Sequence, residues 1–254
     1  MFAVVSDIHA NLEAFQAVLD DIDAQGIERI LCLGDIVGYG PDPAACVSLA
    51  RRRCDVTLRG NHDLAVLQQP LGFNRAAREA VEWTRSQLKP RWLSGLETRA
   101  NWRFLSRAPE RFEEGRFLFV HGSPRDPVTE YVEEKDTLDL GFGIGEKLQA
   151  ILDLVKGLCF LGHTHAPGVI DGEGGWHAPA DLPDGWPIGA LPAIINVGSV
   201  GQPRDGDPRA CWVAVDAERA RFRRAPYDVE TTARKVERHT RLQTRIADRL
   251  RAGR

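Results

Sequence analysis

The chain lacks the cysteine pattern of a thiolate metal site or of a disulfide-stabilised fold. It has five cysteines, Cys32, Cys46, Cys54, Cys159 and Cys211. Their number is odd and no two are spaced as C-x-x-C, which argues against zinc held by thiolates. Cys32 and Cys159 lie inside apolar runs that are typical of buried strands. We therefore expect buried free thiols and a reducing compartment, the cytoplasm.

Long apolar runs and a strong charge of either sign are also absent. No apolar run approaches the ~20 residues of a membrane helix, and the first residues predict a strand instead of a signal peptide. The formal net charge is -3 over 254 residues, whereas binding along a nucleic-acid backbone needs a clear excess of Lys and Arg. We expect a cytoplasmic protein without stable nucleic-acid binding and without membrane contact, and the sequence leaves its oligomeric state open.

What the chain does contain is a repeated arrangement, in which a short apolar run ends in a polar cluster. The clusters are Asp7-Ile8-His9, Asp35, Asn61-His62-Asp63, His121 and His163-Thr164-His165. The runs before them predict strands buried on both faces. Helical patterns over residues 12–22 and 43–53 alternate with these runs. The alternation predicts an α/β fold with parallel strand pairs, in which functional groups gather at the carboxyl ends of the strands.

The segments between the clusters predict the rest of a single domain over residues 1–254. Residues 64–115 favour a mainly helical insertion, and residues 122–156 interrupt the strand pattern and are expected to form a cap over the site. Residues 210–225 resemble a closing hairpin. Asp228 is placed to cap the helix that follows it.

Imidazoles and carboxylates at strand ends predict a metal site. The predicted ligands are Asp7, His9, Asp35, Asn61, His121, His163 and His165. Without thiolates, such a set suits Mn, Fe, Zn, Co or Ni. Asp35 is the candidate bridge, because a carboxylate can bind two ions that lie roughly 3.5–4 Å apart. Asn61 would offer a neutral oxygen, which limits the negative charge on the metals.

Two residues beside Asn61 are candidate catalytic groups. An imidazole at His62 could donate a proton to the leaving oxygen or stabilise the transition state as a cation. The alternative is a histidine that only hydrogen-bonds a ligand. Arg59 could hold phosphate oxygens through paired hydrogen bonds, or it could brace the loop.

Three further residues are candidates for substrate binding. Arg125 and Arg204 could reach a phosphate, although surface arginines are common. Tyr131 lies on the predicted cap and could stack on a base, or it could be a packing residue.

The clusters resemble, in order, the motifs of the calcineurin-like metallophosphoesterase superfamily: D-x-H, GD, GNH[DE], H and GHTH. The stretch NVGSVGQPRDG at 196–206 is similar to its bacterial phosphodiesterase-like branch. The resemblance implies a four-layer α-β-β-α sandwich of two mixed sheets flanked by helices, with a small cap. It implies one metal ion on Asp7, His9, Asp35 and His165, and a second on Asp35, Asn61, His121 and His163.

The expected activity is therefore that of a phosphoesterase that binds two divalent metal ions. Manganese is the first choice for both ions. A hydroxide shared by the two ions is expected to attack phosphorus. Gly38 and Tyr39 replace the Asp-Arg pair of the GD-x-x-DRG motif of phosphoprotein phosphatases. We therefore expect small phosphodiesters or nucleoside polyphosphates as substrates. A phosphomonoesterase or protein phosphatase with the same site is an alternative. A non-catalytic metal-binding scaffold is the alternative of another class, against which the complete ligand set and His62 argue.

Overall fold

The apolar runs of the sequence form the strands of two sheets. The structure is a computed structural model that describes residues 1–68, 75–138, 143–189, 192–239 and 244–254. The strands are β1 (Phe2–Val5), β2 (Ile30–Cys32), β3 (Val56–Thr57), β4 (Arg111–Glu114), β5 (Phe117–Val120), β6 (Leu158–Leu161), β7 (Gly168–Asp171), β8 (Trp176–His177), β9 (Trp186–Pro187), β10 (Ala193–Asn196), β11 (Ala210–Val215) and β12 (Arg219–Ala225). The α-helices are α1 (Leu12–Ala24), α2 (Pro43–Arg53), α3 (Asn61–Leu67), α4 (Arg75–Leu88), α5 (Leu96–Arg107), α6 (Glu146–Leu152), α7 (Val229–Arg238) and α8 (Thr244–Ala252), with 3₁₀ turns at Glu134–Thr137 and Pro179–Asp181.

Both sheets mix parallel and antiparallel pairs. The first has the strand order β3-β2-β1-β11-β12-β9, and the second has the order β4-β5-β6-β10-β7-β8. In the first sheet β1 runs parallel to β2 and antiparallel to β11. In the second, β10 runs parallel to β6 and antiparallel to β7. The carboxyl ends of β1 and β2, and likewise those of β5 and β6, thus share one edge of their sheet.

The two sheets pack face to face between layers of helices. In β1, Ala3 and Val5 point into the core shared with α1 and α2, whereas Phe2 and Val4 point into the core between the sheets. This alternation follows from the two-residue period of a strand. A third core joins the outer face of the second sheet to Leu148 and other residues of α6. Four layers result, and the predicted fold class of two mixed sheets flanked by helices is confirmed.

Helix boundaries follow local signals in the sequence. The side chain of Asn11 accepts a hydrogen bond from the Ala14 amide at the start of α1, and Asp228 does the same for the Thr231 amide at the start of α7. Such side chains satisfy amides that have no partner within the helix. Helix α2 begins at Pro43, whose fixed φ suits the first turn.

The first of the two long segments between the clusters contains a strand in addition to the helices predicted for it. The segment 64–115 holds α4 and α5 but ends in β4, which pairs antiparallel with β5 at the edge of the second sheet. The segment 122–156 contributes α6 to the outer layer. Residues 69–74 and 139–142 of these segments lie outside the described residues. No helix in the described part of the chain is both long and apolar enough to cross a membrane.

Candidate metal centre

The seven predicted ligands come from loops at the carboxyl ends of strands in both sheets. Asp7 and His9 follow β1, Asp35 follows β2, Asn61 begins α3, His121 follows β5, and His163 and His165 follow β6. All seven lie near one another where the two sheets meet, as their side-chain contacts show. The first sheet thus supplies four of the residues and the second supplies three.

The backbone turns sharply at five of these positions. The φ angles are 54° at Asp7, 47° at His9, 51° at Asp35, 67° at His163 and 64° at His165. A non-glycine residue in this left-handed region costs ~1–2 kcal/mol, and such residues cluster at functional sites. The turns allow side chains two residues apart to face the same point. The loops are held by hydrogen bonds from the Asp7 amide to the Gly34 carbonyl (3.1 Å) and from the His9 amide to the Asp35 carbonyl (2.9 Å).

The first group of ligand atoms belongs to Asp7, His9 and His165, and it brings two imidazole lone pairs together. The Nε2 atoms of His9 and His165 lie 3.0 Å apart. Each ring donates through Nδ1 to a backbone carbonyl, His9 to Val37 at 3.1 Å and His165 to Gln202 at 2.6 Å. A carbonyl only accepts, so both Nδ1 atoms carry the proton and both Nε2 atoms present lone pairs. An Asp7 oxygen lies 3.2 Å from the same Nε2 of His165. A cation between these atoms would turn a repulsive arrangement into a binding site.

The second group joins His121, His163 and Asn61 to Asp35. Nε2 of His121 lies 3.2 Å from the Asn61 Oδ1 atom and 3.5 Å from the Asp35 Oδ2 atom. His163 donates through Nε2 to the Thr129 carbonyl at 3.1 Å, which leaves its Nδ1 as the lone-pair nitrogen. Ligand atoms of Asp35, His121 and His163 lie within 4.8 Å of one another.

Asp35 stands between the two groups. Its Oδ2 lies 3.7 Å from Nε2 of His9 in the first group and 3.5 Å from Nε2 of His121 in the second. Its Oδ1 accepts a hydrogen bond from the His62 amide at 2.8 Å. Gly60 makes room for this carboxylate, because a Cβ at Gly60 would lie 2.0 Å from Oδ1. This is the placement that a bridging carboxylate needs.

The electrostatics of the groups favour bound cations. Asp7, Asp35, His9 and His121 are each at most 1% exposed. Burial alone would lower the pKa of His121, but the carboxylates of Asp35 and Asp7 raise it to about 9. Buried carboxylates and lone-pair nitrogens without thiolates fit two divalent transition-metal ions.

His62 lies beside the first group. Its ring centroid is 4.9 Å from that of His9 and 4.5 Å from that of Tyr39. A Cβ at Gly38 would lie 2.4 Å from Nδ1 of His62, so the ring needs a glycine at that position. Burial lowers the pKa of His62 to about 4 although the Asp35 carboxylate opposes this shift. The imidazole is therefore neutral near pH 7 and retains one N–H donor.

Two of the three arginines predicted to bind phosphate form ion pairs with the protein's own carboxylates. Arg59 donates to the Ser106 carbonyl at 3.0 Å, and its guanidinium lies 3.5 Å from Glu110. These are the contacts expected if Arg59 braces its loop. Arg125 is exposed and donates to both oxygens of Glu130, at 3.0 and 2.9 Å. Phosphate binding by either residue stays a prediction.

Tyr131 and Arg204 lie closer to the ligands. The Tyr131 ring stacks on that of His163, with centroids 3.9 Å apart and planes 27° apart. The Arg204 amide donates to the His165 carbonyl at 3.2 Å, and its guanidinium donates to the amide oxygen of Gln202 at 2.9 Å. Their roles in substrate binding also stay predictions.

Several residues at the site were not found from the sequence. Tyr39 packs edge-on against His9, with ring centroids 4.8 Å apart, as well as against His62. Its position four residues after Asp35 in the GDIVGYG block was a usable signal. The carbonyls of Val37, Thr129 and Gln202 orient three histidines. No side-chain pattern marks these carbonyls.

Comparisons with known proteins agree with this fold and site. The calcineurin-like phosphoesterase superfamily domain matches residues 1–219. A crystal structure of a metallophosphoesterase from Sphaerobacter thermophilus has 34% sequence identity and a TM-score of 0.81, and the match covers 100% of this chain and 98% of that chain. A hypothetical protein from Pyrococcus horikoshii, at 18% identity, shares the fold with a TM-score of 0.73 over 100% of this chain and 99% of its own.

An uncharacterized protein from Methanocaldococcus jannaschii is 36% identical over 265 residues, which cover 100% of this chain and 98% of the relative. The chain belongs to the calcineurin-like phosphoesterase superfamily. It is accordingly an enzyme that hydrolyses phosphoric ester bonds, and the predicted family and enzyme class are confirmed.

Proposed function

We propose that the chain hydrolyses small phosphodiesters or nucleoside polyphosphates with the help of two divalent transition-metal ions. The observation that carries this proposal is Asp35, which stands between two buried groups of nitrogen and oxygen ligands. In the proposal Asp7, His9, Asp35 and His165 hold one ion, and Asp35, Asn61, His121 and His163 hold the other. Manganese is the first choice, and iron, zinc, nickel and cobalt suit the same donors.

When bound, such a pair of ions supplies an activated water as nucleophile and neutralises charge on the phosphoryl oxygens. The protein's own contribution is to fix the ligands before the substrate arrives. Carbonyl groups lock the tautomers of His9, His163 and His165. The His62 amide holds the Asp35 carboxylate. Preorganised groups of this kind need no reorganisation during the reaction.

His62 is the proposed donor to the leaving oxygen. Its neutral ring has one N–H, and a hydrogen bond from it would stabilise negative charge that develops on that oxygen. Packing against Tyr39 and the absence of a side chain at Gly38 set the orientation of the ring. Direct protein partners of Arg59 make it a weaker candidate for this chemistry.

Burial of the site supports small substrates. The proposed ligand His163 is 4% exposed, and Tyr131 covers one face of its ring. A folded protein surface would have difficulty reaching such a recessed centre, whereas a small ester could enter it. Hydrogen bonds from Ser199 and Gly201 to the Asp7 carbonyl tie distant parts of the chain into this centre. They support the proposal that residues 1–254 act as one domain.

The test is a substrate panel measured on the metal-loaded protein. Values of kcat/KM are compared for a dinucleoside polyphosphate, a cyclic nucleotide, a simple monoester and a phosphopeptide. We expect one of the two nucleotides to be preferred and turnover to vanish when a chelator removes the metal. A phosphopeptide preferred by tenfold or more would overturn the substrate class. No metal-dependent turnover on any phosphoester would overturn the whole proposal and favour the scaffold.

A further inference from the structure

A cavity of about 290 Å³ opens beside the proposed metal centre. Thr164 and Arg204 line its inner end, and Thr164 stands between the proposed ligands His163 and His165. We call this cavity the side recess. Its outer part is lined by Trp176, Val132, Glu133, Glu134 and Lys135, and the Lys135 ammonium forms an ion pair with Glu133. The volume is at the lower end of the ~300–1,000 Å³ of small-molecule sites, so the recess suits one compact group and no polymer.

The inner end of the side recess presents a cation close to the proposed metals. The Arg204 guanidinium donates to the amide oxygen of Gln202. Because this acceptor is neutral, the contact does not neutralise the positive charge of Arg204. Its Nε is buried and has no hydrogen-bond partner among the described residues. The Arg204 amide is held by the His165 carbonyl. A guanidinium fixed beside the metals is suited to a phosphate oxygen of the bound ester.

The outer end presents a planar ring between apolar and acidic neighbours. Trp176 is half-buried, and its ring lies so close to Gly168 that a Cβ there would fall 2.2 Å from it. The plane of the indole is therefore fixed before any ligand binds. Val132 is 3% exposed and contributes apolar surface. Glu133, which is paired with Lys135, and Glu134 can accept hydrogen bonds from hydroxyl groups.

We propose that the side recess binds the nucleoside of a nucleoside phosphodiester, with the base beside Trp176 and the sugar hydroxyls toward Glu133 and Glu134. The phosphate then lies at the inner end, next to Arg204. This inference rests on the proposed function and narrows it. The group that enters the recess is an uncharged nucleoside bonded to the scissile phosphate.

The test compares two diesters with the same leaving group, thymidine 5′-(4-nitrophenyl phosphate) and methyl 4-nitrophenyl phosphate. The metal-loaded wild type should favour the thymidine ester by tenfold or more in kcat/KM. Trp176→Leu keeps apolar volume but removes the planar ring. It should raise KM for the thymidine ester by about five- to a hundredfold, the usual range for loss of base stacking. Its effect on the methyl ester should stay within twofold.

Two further variants serve as controls. Trp176→Phe keeps a planar ring and should retain most of the preference for thymidine. Trp92→Leu removes an indole that is 89% exposed and lies outside the recess, so it should change neither ester. Wild-type hydrolysis of both esters without a preference would overturn the inference while the proposed function stands. Equal losses on both esters in Trp176→Leu would overturn it as well.

Calorimetry measures ligand binding in the side recess independently of turnover. Thymidine 5′-monophosphate should bind the metal-loaded wild type at least tenfold more tightly than methyl phosphate does, and Trp176→Leu should abolish the difference. If neither ester is hydrolysed, the proposed function fails. The binding difference in the wild type then supports the nucleoside recess, and equal binding of the two ligands overturns it. If Trp176→Leu does not fold, this comparison of the two ligands on the wild type still tests the inference.

Discussion

Replacing Gly60 by alanine is expected to disable the proposed metal centre without changing a ligand. Gly60 is the N-cap residue of α3, with φ −89° and ψ 173°, so an alanine meets no backbone strain there. Its Cβ would lie 2.0 Å from Oδ1 of Asp35, whereas real Cβ contacts essentially never fall under 3.0 Å. The same Cβ would lie 2.4 Å from the backbone nitrogen of Asp35, so the carboxylate must move by about 1 Å and the backbone that carries it must shift as well.

The expected losses follow from the position of Asp35 between the two ligand groups. Its Oδ2 is 3.7 Å from Nε2 of His9 and 3.5 Å from Nε2 of His121, so one displacement disturbs both groups. A misplacement of ~1 Å at an active site costs ~10²-fold in rate. Overpacking a filled site costs about 1–3 kcal/mol in the free energy of unfolding.

Gly95→Ala is the matched control. Gly95 is the N-cap residue of α5 with φ −64° and ψ 169°, and a Cβ there meets nothing within 4 Å. Metal content after loading, kcat/KM on a phosphodiester and urea unfolding are measured on both variants. We expect Gly60→Ala to lose metal, rate and stability, while Gly95→Ala behaves as the wild type. If Gly60→Ala keeps full metal content and a kcat/KM within twofold of Gly95→Ala, Asp35 does not join two metal sites.

Three further changes test other parts of the site and fold. Asp35→Ala should lose more than one of the two metal ions bound per chain after loading, and full content by elemental analysis would exclude the bridge. His62→Asn should keep both ions but lower kcat by on the order of 10²–10⁴, with a smaller drop for better leaving groups; near-normal kcat would exclude His62 from catalysis. Arg59→Ala should lower the free energy of unfolding by about 1 kcal/mol, because a hydrogen bond to the Ser106 carbonyl is lost, and leave KM unchanged. A tenfold rise in KM with unchanged stability would instead support phosphate binding by Arg59.

The elements that carry a local signal could be predicted from the sequence. Pro43 begins α2 as expected, and the buried residues Phe2 to Val5 point alternately into two cores, as the apolar run predicted. Strand β4 was missed because its sequence, RFEE, is short and mostly exposed. Its pairing with β5 is decided by the sheet edge to which it adds, and a local pattern contains no information about that edge.

The proposed site likewise contains some groups that the sequence predicts and others that it does not. Histidines and carboxylates after apolar runs are visible in the sequence, so the residues that meet at the centre could be named. The carbonyls of Val37 and Gln202 could not, because every residue has a carbonyl and only the fold selects which one faces an imidazole. The proposed contact of Trp176 with a nucleoside was not predicted either. Its neighbours Arg204 and Val132 are distant in sequence, and only the packing of the second sheet brings them to one cavity.

Hydrogen bonds between Asp7 and residues 199–201 bear on the stage of folding at which the proposed metal centre could first hold an ion. The Ser199 hydroxyl and the Gly201 amide donate to the Asp7 carbonyl at 2.8 and 2.9 Å, and the Val200 amide donates to the Ser6 carbonyl at 3.0 Å. A ribosome delivers Asp7 long before it delivers these partners, and contacts between such distant segments form late. A nascent chain therefore exposes the aspartate and histidine side chains without the geometry to retain an ion. In the proposed centre, metal selection would therefore fall to the folded protein, and the bound ion would reflect the free-metal concentrations of the compartment in which folding is completed.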